Sequence, residues 1–208
     1  MKNLLRRHWY RYRFKHTAYA YLFDKPTNDE VVSLDCETTS LDPHKAELIT
    51  IAATVIRGNT ILTSQPFSIS LRAPQSLTAQ SIAIHRIRHQ DLDNGLNDQE
   101  AMTRLIDFIG NRPLVGYHIR YDKSILDRYA HRLFGFPLPN QLIEVSHLYR
   151  KRLEHILPNA YYDLSMEAIG HNLDLPLSGR HDALEDAISA ALIYVRLKYG
   201  DVPMPKSV

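Results

Sequence analysis

The segment Val31-Val32-Ser33-Leu34-Asp35-Cys36-Glu37-Thr38-Thr39-Ser40 constrains this chain more than any other. Apolar and β-branched residues follow the polar Asn28-Asp29-Glu30, which predicts a short buried strand ending in two acids. Successive strand side chains point to opposite faces, so Asp35 and Glu37 share one face and Cys36 takes the other. Carboxylates that close raise each other's pKa and repel, unless a positive charge sits between them. A divalent cation is the simplest such charge. An Asp-x-Glu by itself is more often an ordinary acidic strand end entering a loop, so the pattern acquires meaning only from acids elsewhere in the chain.

At 208 residues the chain suits one domain with a sizeable core, or a domain with an appendage. The expected division is a basic, aromatic N-terminal extension over 1–28 and a domain over 29–208. A hydrophobic content of 44% with 23% charged residues is ordinary for a water-soluble protein, and no apolar run is long enough to cross a bilayer. One cysteine cannot form an intramolecular disulfide. With no signal-like apolar core, this points to a reducing interior such as the cytoplasm.

The formal charge of +2 conceals an asymmetry. Lys2, Arg6, Arg7, Arg11, Arg13 and Lys15 give the first 16 residues +6 with no acid, leaving 19 basic against 23 acidic residues, or −4, for the other 192. The same arm carries Trp9, Tyr10, Tyr12, Phe14, Tyr19, Tyr21 and Phe23. Leu5, Trp9 and Tyr12 are spaced for one face of a short amphipathic helix. Such an arm could touch phosphates with its aromatics stacked on bases, dock on a protein partner or an anionic membrane, or fold back on its own domain. The density of aromatics favours the last.

Past a turn at Leu41-Asp42-Pro43-His44, residues 47–57 and 60–70 read as two strands joined at Gly58-Asn59. Residues 71–98 are irregular with a helical turn or two. Asn97 and Glu100 open a helix with Leu105, Ile106 and Ile109 inward and Gly110 as its stop. Residues 113–117 predict a strand, followed by a helix from about Tyr121 with Ile125, Leu126, Tyr129 and Leu133 inward. That junction places Asp122 near a sheet's carboxyl edge, where open α/β folds build sites. Residues 141–157 pass into a basic helix; another runs from about 164 to 172, capped by Asp163. The last spans about 182–199, with Leu184, Ile188, Ala191 and Val195 inward. The order predicts a mixed sheet flanked by helices.

Asp35 and Glu37 on the first strand, Asp122 at a strand-to-helix junction, and His181 with Asp186 at the start of the last helix form a set of four acids and a histidine. The three motifs Ser33-Leu-Asp-Cys-Glu-Thr-Thr-Ser40, Val115-Gly-Tyr-His-Ile-Arg-Tyr-Asp122 and His181-Asp-Ala-Leu-Glu-Asp186-Ala187, in this order, resemble the DEDDh exonucleases. That group includes the proofreading subunit of bacterial DNA polymerase III, ribonuclease T and oligoribonuclease. The resemblance covers about residues 30–198. His181 stands five before Asp186, the spacing of the histidine branch; the tyrosine branch would need a Tyr where Asp182 stands.

The resemblance implies a ribonuclease H-like α/β fold with a five-stranded mixed sheet, and a metal-dependent 3′→5′ exonuclease acting on single-stranded ends. It implies two Mg2+ or Mn2+ ions held by Asp35, Glu37, Asp122 and Asp186, with Asp35 bridging them and His181 taking the proton from the attacking water. Such chemistry needs a nucleophilic water and charge neutralisation on the phosphoryl group, which two metals about 3.5–4 Å apart supply. By the same likeness Leu41 wedges against the terminal base and Thr38 offers its backbone N–H to the 3′ hydroxyl. His85, in Ile84-His-Arg-Ile87, and His118 fall on substrate-contacting segments. Three positions depart from the family pattern: Ser40 and Arg86 replace glycines, and Tyr117-His118 replaces a His-Asn pair; the Ser40 and Arg86 departures bear on the substrate path rather than on the metal site. Ser40 is expected to restrict the backbone there. The implied substrate is a single-stranded 3′ end, DNA ahead of RNA, with a polymerase or other protein as a candidate partner for the arm. An RNA 3′-trimming enzyme of the same family is the alternative. A non-catalytic nucleic-acid-binding module would be expected to lack a carboxylate, and none is missing.

Overall fold

The structure is a computed structural model describing residues 2–158, 160–177 and 182–203, with side chains from Arg6 onward. His181 and Arg180 lie outside the described residues. Six strands form one mixed sheet: β1 (Val31–Thr38), β2 (Leu48–Arg57), β3 (Thr60–Ile61), β4 (Phe67–Ser70), β5 (Leu114–Gly116) and β6 (Leu142–Glu144). β1 runs antiparallel to β2 and parallel to β5, which is parallel to β6. Both β3 and β4 pair with β2, antiparallel. The sheet is therefore five strands wide, as expected, although six segments build it. The run 60–70 expected as a single strand is interrupted over 62–66, where Pro66 lacks an N–H for the ladder.

Among the described residues seven α-helices accompany the sheet: α1 (Lys2–Arg13), α2 (Ala79–His85), α3 (Asp98–Ile109), α4 (Ile119–Phe134), α5 (Val145–Glu154), α6 (Met166–Asn172) and α7 (Ala183–Tyr199). The alternation of β1 sorts them. Val32, Leu34 and Cys36 join the core under α3 and α4, whereas Val31 joins the core under α5, α6 and α7. Asn97 caps α3 by accepting the Glu100 N–H, and the left-handed Gly135 closes α4. α4 begins two residues earlier than periodicity suggests. α6 is capped by Ser165, not Asp163; Asp163 instead accepts the Ser165 N–H one step upstream.

α7 turns a different face inward from the one expected. Of the expected residues Ala191 is buried, whereas Leu184, Ile188 and Val195 are only partly covered; the buried side is Ala183, Ala187, Ala190, Ala191, Ile193, Tyr194 and Leu197. Small residues let a helix backbone lie close to the sheet, a gain the apolar count overlooks.

The arm folds back on the domain. Its apposed face is Tyr10 and Phe14, while Trp9 and Tyr12, expected on the buried face, stay 52% and 72% exposed. Phe14 and Phe23 meet Phe136 edge-on with ring centroids at 5.0 and 5.4 Å, and Tyr19 leans on Phe134 and Phe136 at 5.3 Å. Phe136 is fully buried by these contacts. Arg7 Nε donates to the Phe23 carbonyl at 3.0 Å, tying α1 to the chain that follows.

Candidate active site

The face of β1 that carries Asp35 and Glu37 looks toward α7. Ser33, two residues earlier on that face, donates a 2.7 Å hydrogen bond to the carbonyl of Ala187. This bond sets where α7 crosses β1, and the alanines permit the approach. Asp186 therefore enters from the first turn of α7, with Asp35, Glu37 and Asp186 each offering an oxygen within 4.8 Å of the others. The ladder between β1 and β2 shifts register between Glu37 and Thr38. Bulges of that kind re-aim side chains and end pairing beside sites.

Asp122 comes from the first turn of α4 and is 3% exposed. Gly116 makes this approach possible: a Cβ there would stand 2.9 Å from the Leu34 carbonyl oxygen on β1 and as close to Ile119. Asp122 stands beside the group of three rather than within it, and after burial its charge is the strongest influence on Asp35.

The electrostatics are those of crowded, dehydrated acids. Burial, then the charges of Asp122, Asp186 and Glu37, pushes Asp35 well above the ordinary carboxylate range. Burial first, then Asp186 and Asp182, pushes Glu37 up to about 7. Burial lifts Asp122 to about 8 against the opposing pull of the Asp122 and Cys36 N–H groups. Asp182 caps α7 by accepting the Leu184 and Glu185 N–H groups at 3.0 and 3.1 Å, and its charge reaches the same site.

Among the described residues no lysine or arginine pairs with Asp35, Glu37 or Asp122. An all-oxygen donor set short of positive charge fits a hard divalent cation.

Thr38, Leu41 and His85 line a cleft of about 380 Å³ together with Glu37. His118 lines a neighbouring cleft of about 650 Å³. Leu41, 86% exposed, and Tyr121 border both. The structure thus brings three of the four expected substrate-contacting residues against Glu37 and places His118 beyond Leu41. His85 is 4% exposed and its Nδ1 accepts the Ile87 N–H at 3.1 Å.

Two sequence departures coincide with unusual backbone: Arg86 at φ 62° and His118 at φ 57°, both left-handed. Glycine and asparagine, the residues usual there in the resembling family, tolerate that region best. Ser40 is different: it is not among the described residues with positive φ, so serine costs no strain there.

Sequence reasoning missed Ser33 and the Tyr121 hydroxyl. Ser33 was detectable as a lone polar residue in an apolar strand; nothing in the sequence distinguishes the Tyr121 hydroxyl from the ring that carries it.

A family model described as Exonuclease matches residues 32–194. The chain belongs to the exonuclease family. The DNA polymerase III epsilon subunit of Aquifex aeolicus is 25% identical to this exonuclease-family chain over 175 residues, covering 81% of it and 83% of that subunit. The PolC-type DNA polymerase III of Thermotoga petrophila is 24% identical over 169 residues, covering 81% of this chain but 12% of the polymerase. E. coli exonuclease I in complex with a dT13 oligonucleotide superposes with a TM-score of 0.68 at 16% identity, over 83% of this chain and 41% of that one. The chain thus spans a minor part of several proteins it resembles. The structural likeness is to the ribonuclease H-like exonuclease fold.

Proposed function

We propose that this exonuclease-family enzyme removes nucleotides from the 3′ end of single-stranded DNA by two-metal-ion hydrolysis, releasing 5′-nucleoside monophosphates. The convergence of Asp35, Glu37 and Asp186 within 4.8 Å, with buried Asp122 alongside, carries this reading.

Asp35, Glu37 and Asp186 would hold divalent cations, magnesium or manganese, with Asp122 completing the set. Bound there, such ions neutralise phosphate charge and acidify the attacking water. Ser33 and the alanines of α7 keep Asp186 against β1, and Gly116 does the same for Asp122. The cleft beside Glu37 receives the terminal nucleotide, with the Thr38 backbone N–H toward its 3′ hydroxyl. Exposed Leu41 stands between the two clefts, placed to separate the terminal base from its neighbour. His181, five residues before Asp186, takes the proton of the attacking water on an imidazole nitrogen, a role suited to a group titrating near neutrality.

The DNA polymerase III relatives and the oligonucleotide complex of exonuclease I support DNA as substrate. The carboxylates themselves address a phosphate common to DNA and RNA, and the 2′-hydroxyl is the only chemical difference on the sugar. Digestion of matched single-stranded DNA and RNA, with product analysis, tests the proposal. Mononucleotide 5′-phosphates released faster from DNA are expected; faster release from RNA would reassign the substrate, and internal cuts would overturn the exonuclease reading.

A further inference from the structure

Arg120, exposed on the first turn of α4, lines the His118 cleft and also a second, basic one. That second cleft, about 620 Å³, lies where the arm meets the domain, and Arg6, Arg7 and Tyr10 from α1 face Lys123 from α4 across it. No acid lines it. Among the described residues, the carboxylate engaged with these cations is Asp127, which pairs with Lys123 at 2.5 Å. Arg6, Arg7 and Arg120 have no ion-pair partner among the described residues; Asp24, on the chain that follows α1, pairs with Arg11 at 2.8 Å.

The arrangement is held, not merely solvated. Arg7 is pinned through the Phe23 carbonyl, and the Tyr10, Phe14 and Phe23 rings are stacked together over Phe136. Packing therefore forces like charges together across the junction. Lys123 registers this: its pKa is lowered by burial first, against the pull of Asp127, with Arg6 adding to the depression. A cluster of cations fixed around a polar cleft is complementary to a polyanion.

Three clefts thus follow one another: the Glu37 cleft shares Leu41 and Tyr121 with the His118 cleft, which shares Arg120 with the basic cleft. We propose that the basic cleft binds backbone phosphates of the same nucleic-acid strand upstream of its 3′ end, so that the N-terminal arm is part of the substrate track. The inference rests on the nuclease reading above for the direction of the strand.

The test is fluorescence anisotropy with the full chain, in chelator so that nothing is cleaved, using a trinucleotide and a single strand of about 16 nucleotides, a length at the upper end of common single-strand sites. Arg6→Glu reverses an exposed cation of the cleft, and Arg13→Glu makes the same charge change at an exposed position in the last turn of α1. Melting curves confirm that both variants fold. Arg6→Glu is expected to weaken the long strand by at least about three-fold, to lower the salt slope by roughly 0.7 for each phosphate left without its cation, and to leave the trinucleotide unaffected. Arg13→Glu is expected to bind both as the natural protein does.

Undiminished long-strand binding by Arg6→Glu, or equal weakening in Arg13→Glu or on the trinucleotide, would overturn the proposal. So would Arg6-dependent binding to phosphatidylserine vesicles without any effect on the strand, which would assign the cleft to a lipid surface. Hydrolysis by the natural protein is measured separately. If it cleaves nothing yet shows the length-dependent effect of Arg6, the nuclease reading falls and the phosphate track stands.

Discussion

The Tyr121 hydroxyl lies 2.6 Å from Thr38 Oγ1 and also donates to the Ser40 carbonyl, tying the first turn of α4 to the chain that leaves β1. Thr38 Oγ1 adds a 3.2 Å bond to the same carbonyl. The segment that presents Leu41 is therefore clamped by the residue next to Asp122.

Tyr121→Phe keeps the ring and removes the clamp. The site is partly exposed, so the stability loss should be about 1 kcal/mol, the net value of an ordinary hydrogen bond. KM for a single strand should rise while kcat falls less, because the carboxylates keep their places. Steady-state kinetics check this, and a large loss in kcat with unchanged KM would show that the clamp serves the metal site instead.

The raised carboxyl pKa values make metal-free stability depend on pH. A carboxyl raised in the folded state binds more protons there than in the unfolded chain, so its contribution is fully present below the unfolded value, near 4, and is lost as pH rises through the folded one. With Glu37 at about 7 and Asp122 at about 8, that loss runs from near pH 4 up to those folded values. The metal-free protein should melt lower at about pH 8.5 than at about pH 6. Magnesium should raise Tm more at the higher pH, since binding deprotonated ligands competes with protons. A calorimetric series checks both signs.

His181→Ala should lower the rate roughly 10²- to 10³-fold at saturating metal, in the range of general-base removal. Magnesium affinity, read by titration calorimetry, should not change. Parallel loss of both would make His181 part of the metal site.

Arg86 holds a left-handed backbone at the end of α2, with φ 62°. That region costs a non-glycine residue about 1–2 kcal/mol, while glycine loses about 0.5–1 kcal/mol more chain entropy on folding. Arg86→Gly should therefore raise stability by up to about 1 kcal/mol in urea unfolding. A loss of that size would mean that the Arg86 side chain makes a stabilising contact.

Phe136 is fully buried with Phe14, Tyr19 and Phe23 against it. Removing residues 2–23 would expose that surface, so the truncated chain should lose several kcal/mol, on the scale of a large aromatic-to-alanine change in a core. Unfolding curves check it. A truncated protein as stable as the full chain would make the arm an ornament on a self-sufficient domain.

Much of the site is legible because strand alternation is rigid. Once residues 31–38 form a buried strand, Asp35 and Glu37 must share a face, and the spacing to helix starts brings Asp122 and Asp186 near it. The rest is harder to read because it depends on what small and polar groups permit. The alanine face of α7 carries little apolar signal, yet it sets the distance at which Asp186 arrives. Trp9 with Tyr12 and Tyr10 with Phe14 are both spaced for a helix face, and it is Phe136, 122 residues beyond Phe14 in sequence, that selects the second pair. The run 60–70 is apolar and β-branched at both ends, and it breaks at Ser64-Gln65-Pro66, where the proline has no N–H for the ladder.

The proposed function makes these four carboxylates a metal-dependent hydrolytic centre working from the 3′ end. It is tested most directly by following 5′-labelled single strands with the natural protein and Asp35→Asn, first in chelator and then after magnesium is added. The account expects a ladder of shortening strands only for the natural protein after magnesium, with Asp35→Asn slower by roughly a hundred-fold or more. Cleavage in chelator, or a normal rate from Asp35→Asn, would contradict it.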